Sequence, residues 1–164
     1  MKFLFVGDRR TGKTYVANLM CRKYNEVAVP TIGMQFHLSP SKNHRIWDLS
    51  GDKTSLSLLQ SVIKDVDAIV YFCTDEESFQ SIKQVWFTKN SKRKYLYTNF
   101  MATLEMKMFA IDNDIKLLQA TGVDMAAQCL ARLEWSHEKT SKPWCCFPFL
   151  YAKPKRYDTL LLPS

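Results

Sequence analysis

The chain has 164 residues, 46% of them apolar and 24% charged, with a formal net charge of +7. That is enough for one domain spanning residues 1–164 with its own core, and no run approaches the ~18 to 20 apolar residues of a membrane-crossing helix. Residues 1 to 80 hold 10 Lys/Arg against 9 Asp/Glu, residues 81 to 164 hold 13 against 7, but apart from Lys89, Lys92, Arg93 and Lys94 the basic side chains are scattered, which favours a solvated face over nucleic-acid binding.

Five cysteines without a CxxC or a paired framework point to a reduced, cytoplasmic setting. Their spacing to His37, His44 and His137 does not suit a zinc site. The first apolar run is too short for a signal peptide. No cysteine lies near Leu162-Pro163-Ser164, so no lipid anchor is expected.

Lys2 to Val6 is a short apolar run that predicts a strand. Glycine is scarce, with only five in the chain, so each is expected where the backbone needs it. Gly7-Asp8-Arg9-Arg10-Thr11-Gly12-Lys13-Thr14 fits G-x-x-x-x-G-K-[ST]. Val16, Leu19, Met20 and Lys23 then follow at helical spacing. Strand, glycine loop and helix together form a phosphate cradle. The N–H groups of residues 9 to 14 would wrap a β-phosphate at a helix N-terminus. Lys13 would bridge β- and γ-phosphate, with the Thr14 hydroxyl on Mg²⁺.

Pro30-Thr31-Ile32-Gly33 precedes an alternating strand over 34–38. Ser39 to Asn43 reads as a turn, and 44–49 as the second strand of an antiparallel hairpin. Asp48, three residues before Gly51, suits a metal partner followed by a glycine whose N–H meets a γ-phosphate. Thr31 is a candidate second hydroxyl on the metal. Ala68 to Cys73 reads as a buried parallel strand, and Phe79, Ile82, Val85 and Trp86 as a helical stripe. Tyr95 to Phe100 is the next predicted strand. The stretch 101–121 is long and weakly patterned. Ala126, Cys129, Leu130 and Leu133 suggest a helix, and Cys145 to Tyr151 a last strand, with Pro148 tolerable at an edge.

The order GDRRTGKT, PTIG, WDLSG and then Asp67-Ala68 through Ser78-Phe79 resembles small GTPases of the Ras superfamily, Rab-like members above all. The resemblance covers residues 1 to about 90 and thins beyond. It implies an α/β P-loop NTPase fold: a six-stranded, mostly parallel sheet with helices on both faces and the nucleotide at the strands' C-terminal ends. It implies GTP or GDP with Mg²⁺, the metal on Thr14, Thr31 and Asp48. Protein effectors and regulators would meet the loops around Thr31 and after Asp48.

Departures from that pattern carry their own expectations. Guanine is read in the family by N-K-x-D, and the matching Asn99-Phe100-Met101-Ala102 keeps only the Asn. The family's S-A-K aligns with Tyr151-Ala152-Lys153, leaving Ala152 and Lys153 beside the base. The water-positioning Gln slot holds Asp52, and Arg9 stands where a small residue is usual. Lys13 and Asp52 are thus the two catalytic positions, with hydrolysis expected to be slow or absent. Too few residues follow Lys153 for a full final helix, which is expected to be missing or shortened. A pseudo-GTPase serving as an interaction module is the alternative. A P-loop kinase of small substrates fits less well, because the hairpin between Thr31 and Asp48 argues against it.

Overall fold

The computed structural model describes residues 1–23, 29–39 and 44–120. Along the chain run β1 (Lys2–Val6), α1 (Lys13–Met20), β2 (Met34–Leu38), β3 (Arg45–Leu49), a 3-10 turn (Lys53–Ser55) leading into α2 (Leu56–Val62), β4 (Ala68–Cys73), α3 (Glu76–Ser81) continued by a π-helical segment (Ile82–Trp86), β5 (Arg93–Thr98), α4 (Leu104–Asp112) and β6 (Ile115–Gln119). The strands form one sheet in the order β2-β3-β1-β4-β5-β6. The hairpin β2–β3 is antiparallel, and every other neighbouring pair is parallel.

Side-chain alternation explains the layers. In β1, Phe3 and Phe5 pack with Val16, Ala17 and Met20 of α1. Leu4 and Val6 point the other way, into a cluster with Leu59, Phe79, Ile82, Trp86 and Met106. A strand covered on both faces has no polar side to show, so β4 reads Ala-Ile-Val-Tyr-Phe-Cys with every residue buried. Helices therefore cover both faces, as the resemblance implies. Beside β1 the chain order reverses, β3 lying on one flank and β4 on the other. Such a switch point opens a crevice beyond the strands' C-terminal ends.

Local signals set the helix ends. Asp75 starts α3 with a reciprocal cap: its Oδ1 accepts from the Ser78 N–H at 2.7 Å, and Ser78 Oγ accepts from the Asp75 N–H at 3.2 Å. The helix then widens, with the Phe87 N–H donating to the Ile82 carbonyl at 2.8 Å, an i to i−5 bond typical of a π turn. Helix α1 stops at Met20, so Lys23, the fourth member of the predicted stripe, falls outside it and is exposed.

Two expectations are corrected. The stretch 101–121, expected to be weakly patterned, contains α4 and β6, so the sixth strand of the described sheet is Ile115–Gln119. Its helix escaped notice because its outward positions Leu104, Met108 and Ile111 are apolar and exposed, which erases the amphipathic contrast that marks a helix. Thr103 caps it by accepting from the Met106 N–H at 3.2 Å, and Asp114, with φ 52, turns the chain into β6. Strand β5 covers Arg93–Thr98, starting and ending two residues before the predicted 95–100. The predicted helix near Ala126 to Leu133, the strand at 145–151 and the missing or shortened final helix lie outside the described residues.

Candidate functional site

The loop from β1 to α1 is shaped by glycine where nothing else fits. Gly7 has φ 144, and a Cβ there would sit 2.5 Å from the Phe72 carbonyl oxygen of β4. Gly12, at φ 85, is the left-handed residue that opens α1. Arg10 takes the same region at φ 63, which a side chain adopts only at some cost. The turn leaves the first amides of α1 without helical partners, as a phosphate cradle requires.

Lys13 folds back over this loop. Its Nζ donates to the Gly7 and Asp8 carbonyls at 2.8 and 2.6 Å and reaches Thr11 Oγ1 at 3.4 Å. Burial pushes its ammonium down from 10.5 to about 8, while the Asp48 and Asp8 carboxylates pull the other way. A cation so poorly solvated gains when an anion arrives.

Thr14, Thr31 and Asp48 come from α1, the following loop and the end of β3, yet they meet at one point. Thr14 Oγ1 donates to Asp48 Oδ2 at 2.6 Å, Thr31 Oγ1 donates to the same oxygen at 3.1 Å, and the two hydroxyls lie 3.1 Å apart. The Ser50 N–H holds the loop in place by donating to the Gly33 carbonyl at 2.8 Å. Asp48 is fully buried, and its Oδ1 has no hydrogen-bond partner among the described residues. Burial raises its pKa, against the Thr14 hydrogen bond and the Lys13 charge. A buried carboxylate with an unused oxygen, flanked by two hydroxyls, is a hard, oxygen-only donor set. Mg²⁺ favours such sets, taking one or two carboxylates and completing its shell with water and phosphate. Among the described residues no group of three or more His, Cys, Asp or Glu offers an alternative metal centre.

Thr14 and Thr31 border a cavity of about 660 Å³, whose walls also include Arg9, Lys13, Ser50 and Gly51. Its size suits a small-molecule ligand. Asp52 follows Gly51 and pairs with Arg9, Nη2 to Oδ2 at 2.5 Å. Thr11 closes the loop from inside, its hydroxyl donating to the Asp8 carbonyl at 2.9 Å.

The base-reading candidates fare differently. Asn99, just past the end of β5, is exposed and is not among the residues lining the cavity. Ala102 is 4% exposed and packs in the cluster around Trp86 and Met106, so its side chain faces the core. Ala152 and Lys153 lie outside the described residues. The described sheet ends at Gln119, after which the Ala120 N–H donates to the Thr98 carbonyl at 2.9 Å.

One support escaped the sequence reading. Asp8 Oδ1 accepts from Trp86 Nε1 at 2.7 Å and from Ser81 Oγ at 2.9 Å, tying the loop to the helix behind it. Trp86 reads in sequence only as part of a core stripe. Its indole N–H needs a partner when buried, and that is the signal that could have linked Trp86 to the phosphate loop at Asp8.

A strand, a glycine-shaped loop with an inward lysine, and a hydroxyl–carboxylate cluster at a sheet switch point define a P-loop nucleotide-binding class of protein. The family model described as "Ras of Complex, Roc, domain of DAPkinase" matches residues 2–98, more than half of the chain, and the chain belongs to this Ras-like family of GTPase domains. It is similar to the Ras-related protein SEC4 of Saccharomyces cerevisiae, with 25% identity over 137 residues covering 75% of this chain and 63% of that one. It is also similar to the Ras-related protein RABD2a of Arabidopsis thaliana, with 28% identity over 133 residues covering 76% and 57%. A third relative is the GTP-binding protein YPTM2 of Zea mays, with 26% identity over 142 residues covering 81% and 62%. The chain thus spans about six tenths of the length of these curated relatives. They mark it as a Rab-like member of the Ras superfamily.

Proposed function

We propose that this chain is a GTP-binding switch of signalling or vesicle traffic, acting in the cytoplasm with slow GTP hydrolysis. The observation that carries the reading is the meeting of Thr14, Thr31 and Asp48 beside the inward-turned Lys13. In this reading the residue 9–14 amides hold the β-phosphate and Lys13 spans β and γ. Thr14, Thr31 and Asp48 hold Mg²⁺, which when bound neutralises charge on the phosphates. Because Thr31 and Gly51 belong to separate loops, a γ-phosphate that engages both orders both, and its loss releases them. Effectors and regulators would read those loops.

Slow turnover follows from Asp52. Hydrolysis needs a water oxygen to attack the γ-phosphorus while the bond to the bridging oxygen breaks, leaving GDP and phosphate. Asp52, short and anionic, repels the phosphate and is engaged by Arg9, so it orients that water poorly. Preference for guanine rests on the relatives rather than on a base-reading carboxylate.

The core-facing Ala102 specifically favours a second reading, in which the domain keeps the fold as a constitutive interaction module. Denaturing the purified protein and chromatographing what it releases separates the two. Stoichiometric GTP or GDP, with GTP in excess, is the expected result. A protein that emerges empty and ignores added GTP and ATP with Mg²⁺ overturns the switch in favour of the module.

A further inference from the structure

Arg9, which lines the cavity, pairs with Asp52, the residue after the cavity-lining Gly51, in an arrangement the phosphate-loop chemistry does not require. Two contacts position Asp52: its Oδ1 accepts from the Thr54 N–H at 3.3 Å, and its own N–H donates to Ser50 Oγ at 3.3 Å. That leaves Oδ2 for Arg9 Nη2 at 2.5 Å. Beneath the pair the two loops touch through their backbones. A Cβ at Gly51 would lie 2.2 Å from the Arg9 nitrogen and 2.4 Å from the Asp8 carbonyl carbon. The pair therefore bridges the phosphate loop and the loop after β3 at the point where both line the cavity.

An ion pair whose side chains are 72% and 38% exposed contributes little to folding stability. Its consequence lies in the charge it presents to the cavity. In the nucleotide-switch reading, the loop amides and Lys13 would hold a diphosphate, and a third phosphate would extend toward Gly51 and the adjoining pair. Arg9 attracts that third phosphate and Asp52 repels it, so whichever charge is freer sets how a triphosphate competes with a diphosphate.

We propose that Arg9 and Asp52 form a clasp that sets the discrimination between nucleoside triphosphate and diphosphate, Arg9 as the cation for the terminal phosphate and Asp52 as its competitor. This rests on the nucleotide-switch reading and names the two residues that tune it. While the clasp is closed the charges cancel, and a terminal phosphate must draw Arg9 away from Asp52. The diphosphate makes no such demand.

The test is titration of the parent, Arg9→Ala and Asp52→Asn with GDP and with the non-hydrolysable guanosine 5′-(βγ-imido)triphosphate, both in Mg²⁺. Each variant is read as its own triphosphate-to-diphosphate affinity ratio, so a partial loss of folded protein cancels. Removing one charged hydrogen bond should move that ratio about tenfold: down in Arg9→Ala, where Asp52 is unopposed, and up in Asp52→Asn, where Arg9 is released. Ratios that stay within twofold of the parent, or that move in the same direction, overturn the clasp while leaving nucleotide binding standing. A parent that binds neither nucleotide overturns the switch reading and the clasp with it.

Discussion

The two ends of the candidate nucleotide site differ in kind. At the phosphate end, Gly7, Gly12, Lys13, Thr14, Thr31 and Asp48 stand in the pattern of the Ras-like family, and the fold brings the last three within hydrogen-bonding distance. At the base end only Asn99 of the corresponding motif remains, and the carboxylate position is a core-packed alanine. Gripping phosphate is largely a backbone task, since amides and a helix terminus do it once the turn is right. Reading a base needs a specific acceptor at a specific place, and one substitution removes it. The difference suggests a protein that retains its grip on the phosphates more firmly than its choice of base.

The largest effect should come from Lys13→Ala. Loss of the buried cation proposed to span two phosphates should weaken guanine nucleotide binding by about a hundredfold or more, measured by calorimetric titration. Binding as tight as the parent's would break the phosphate half of the comparison outright. Gly7→Ala tests the backbone itself. With the new Cβ 2.5 Å from the Phe72 oxygen and φ at 144, urea unfolding should show a loss of about 2 to 3 kcal/mol.

Metal removal is next in size. Chelation by EDTA should lower the parent's nucleotide affinity about tenfold and should change the Asp48→Asn variant less, because the carboxylate proposed to hold the metal is already gone. Equal sensitivity in both would separate Asp48 from the metal. The base end is sharpened by competition between GTP and ATP: without the acceptor, the preference for GTP should not exceed about tenfold. A preference of several orders of magnitude would mean that another group reads the base.

The smallest prediction lies outside the site. Asp75→Ala should cost about 1 kcal/mol by removing the cap on α3, with nucleotide affinity as in the parent. The Ser78 N–H and hydroxyl hold the Asp75 carboxyl below the usual range. A depressed folded pKa means the contribution is present at neutral pH and lost as pH falls through that value. Parent and variant stabilities should therefore converge in acid.

Much of the phosphate end was legible because its signals are local or involve rare residues. A chain with five glycines that places two of them five positions from one another around a charged turn announces a backbone requirement. The alternation in β2 and β3 and the apolar run of β4 likewise follow from which faces are buried. Helix α4 was not legible, since Leu104, Met108 and Ile111 are apolar on the solvent side. Without it, β6 went unread within the stretch 101–121. The Asp8–Trp86 hydrogen bond was equally hidden, as nothing local pairs residues 78 positions apart.

The sequence by itself determined the strand–loop–helix unit, the hairpin and the residue types able to meet phosphate and metal, because those depend on φ, period and chemistry along a short stretch. Only the tertiary structure decided that Thr14, Thr31 and Asp48 share one oxygen, that Arg9 reaches Asp52, and that Ala102 turns inward. Those facts are distances between elements, and they are set by how both faces of the sheet are packed rather than by any residue's neighbours in the chain.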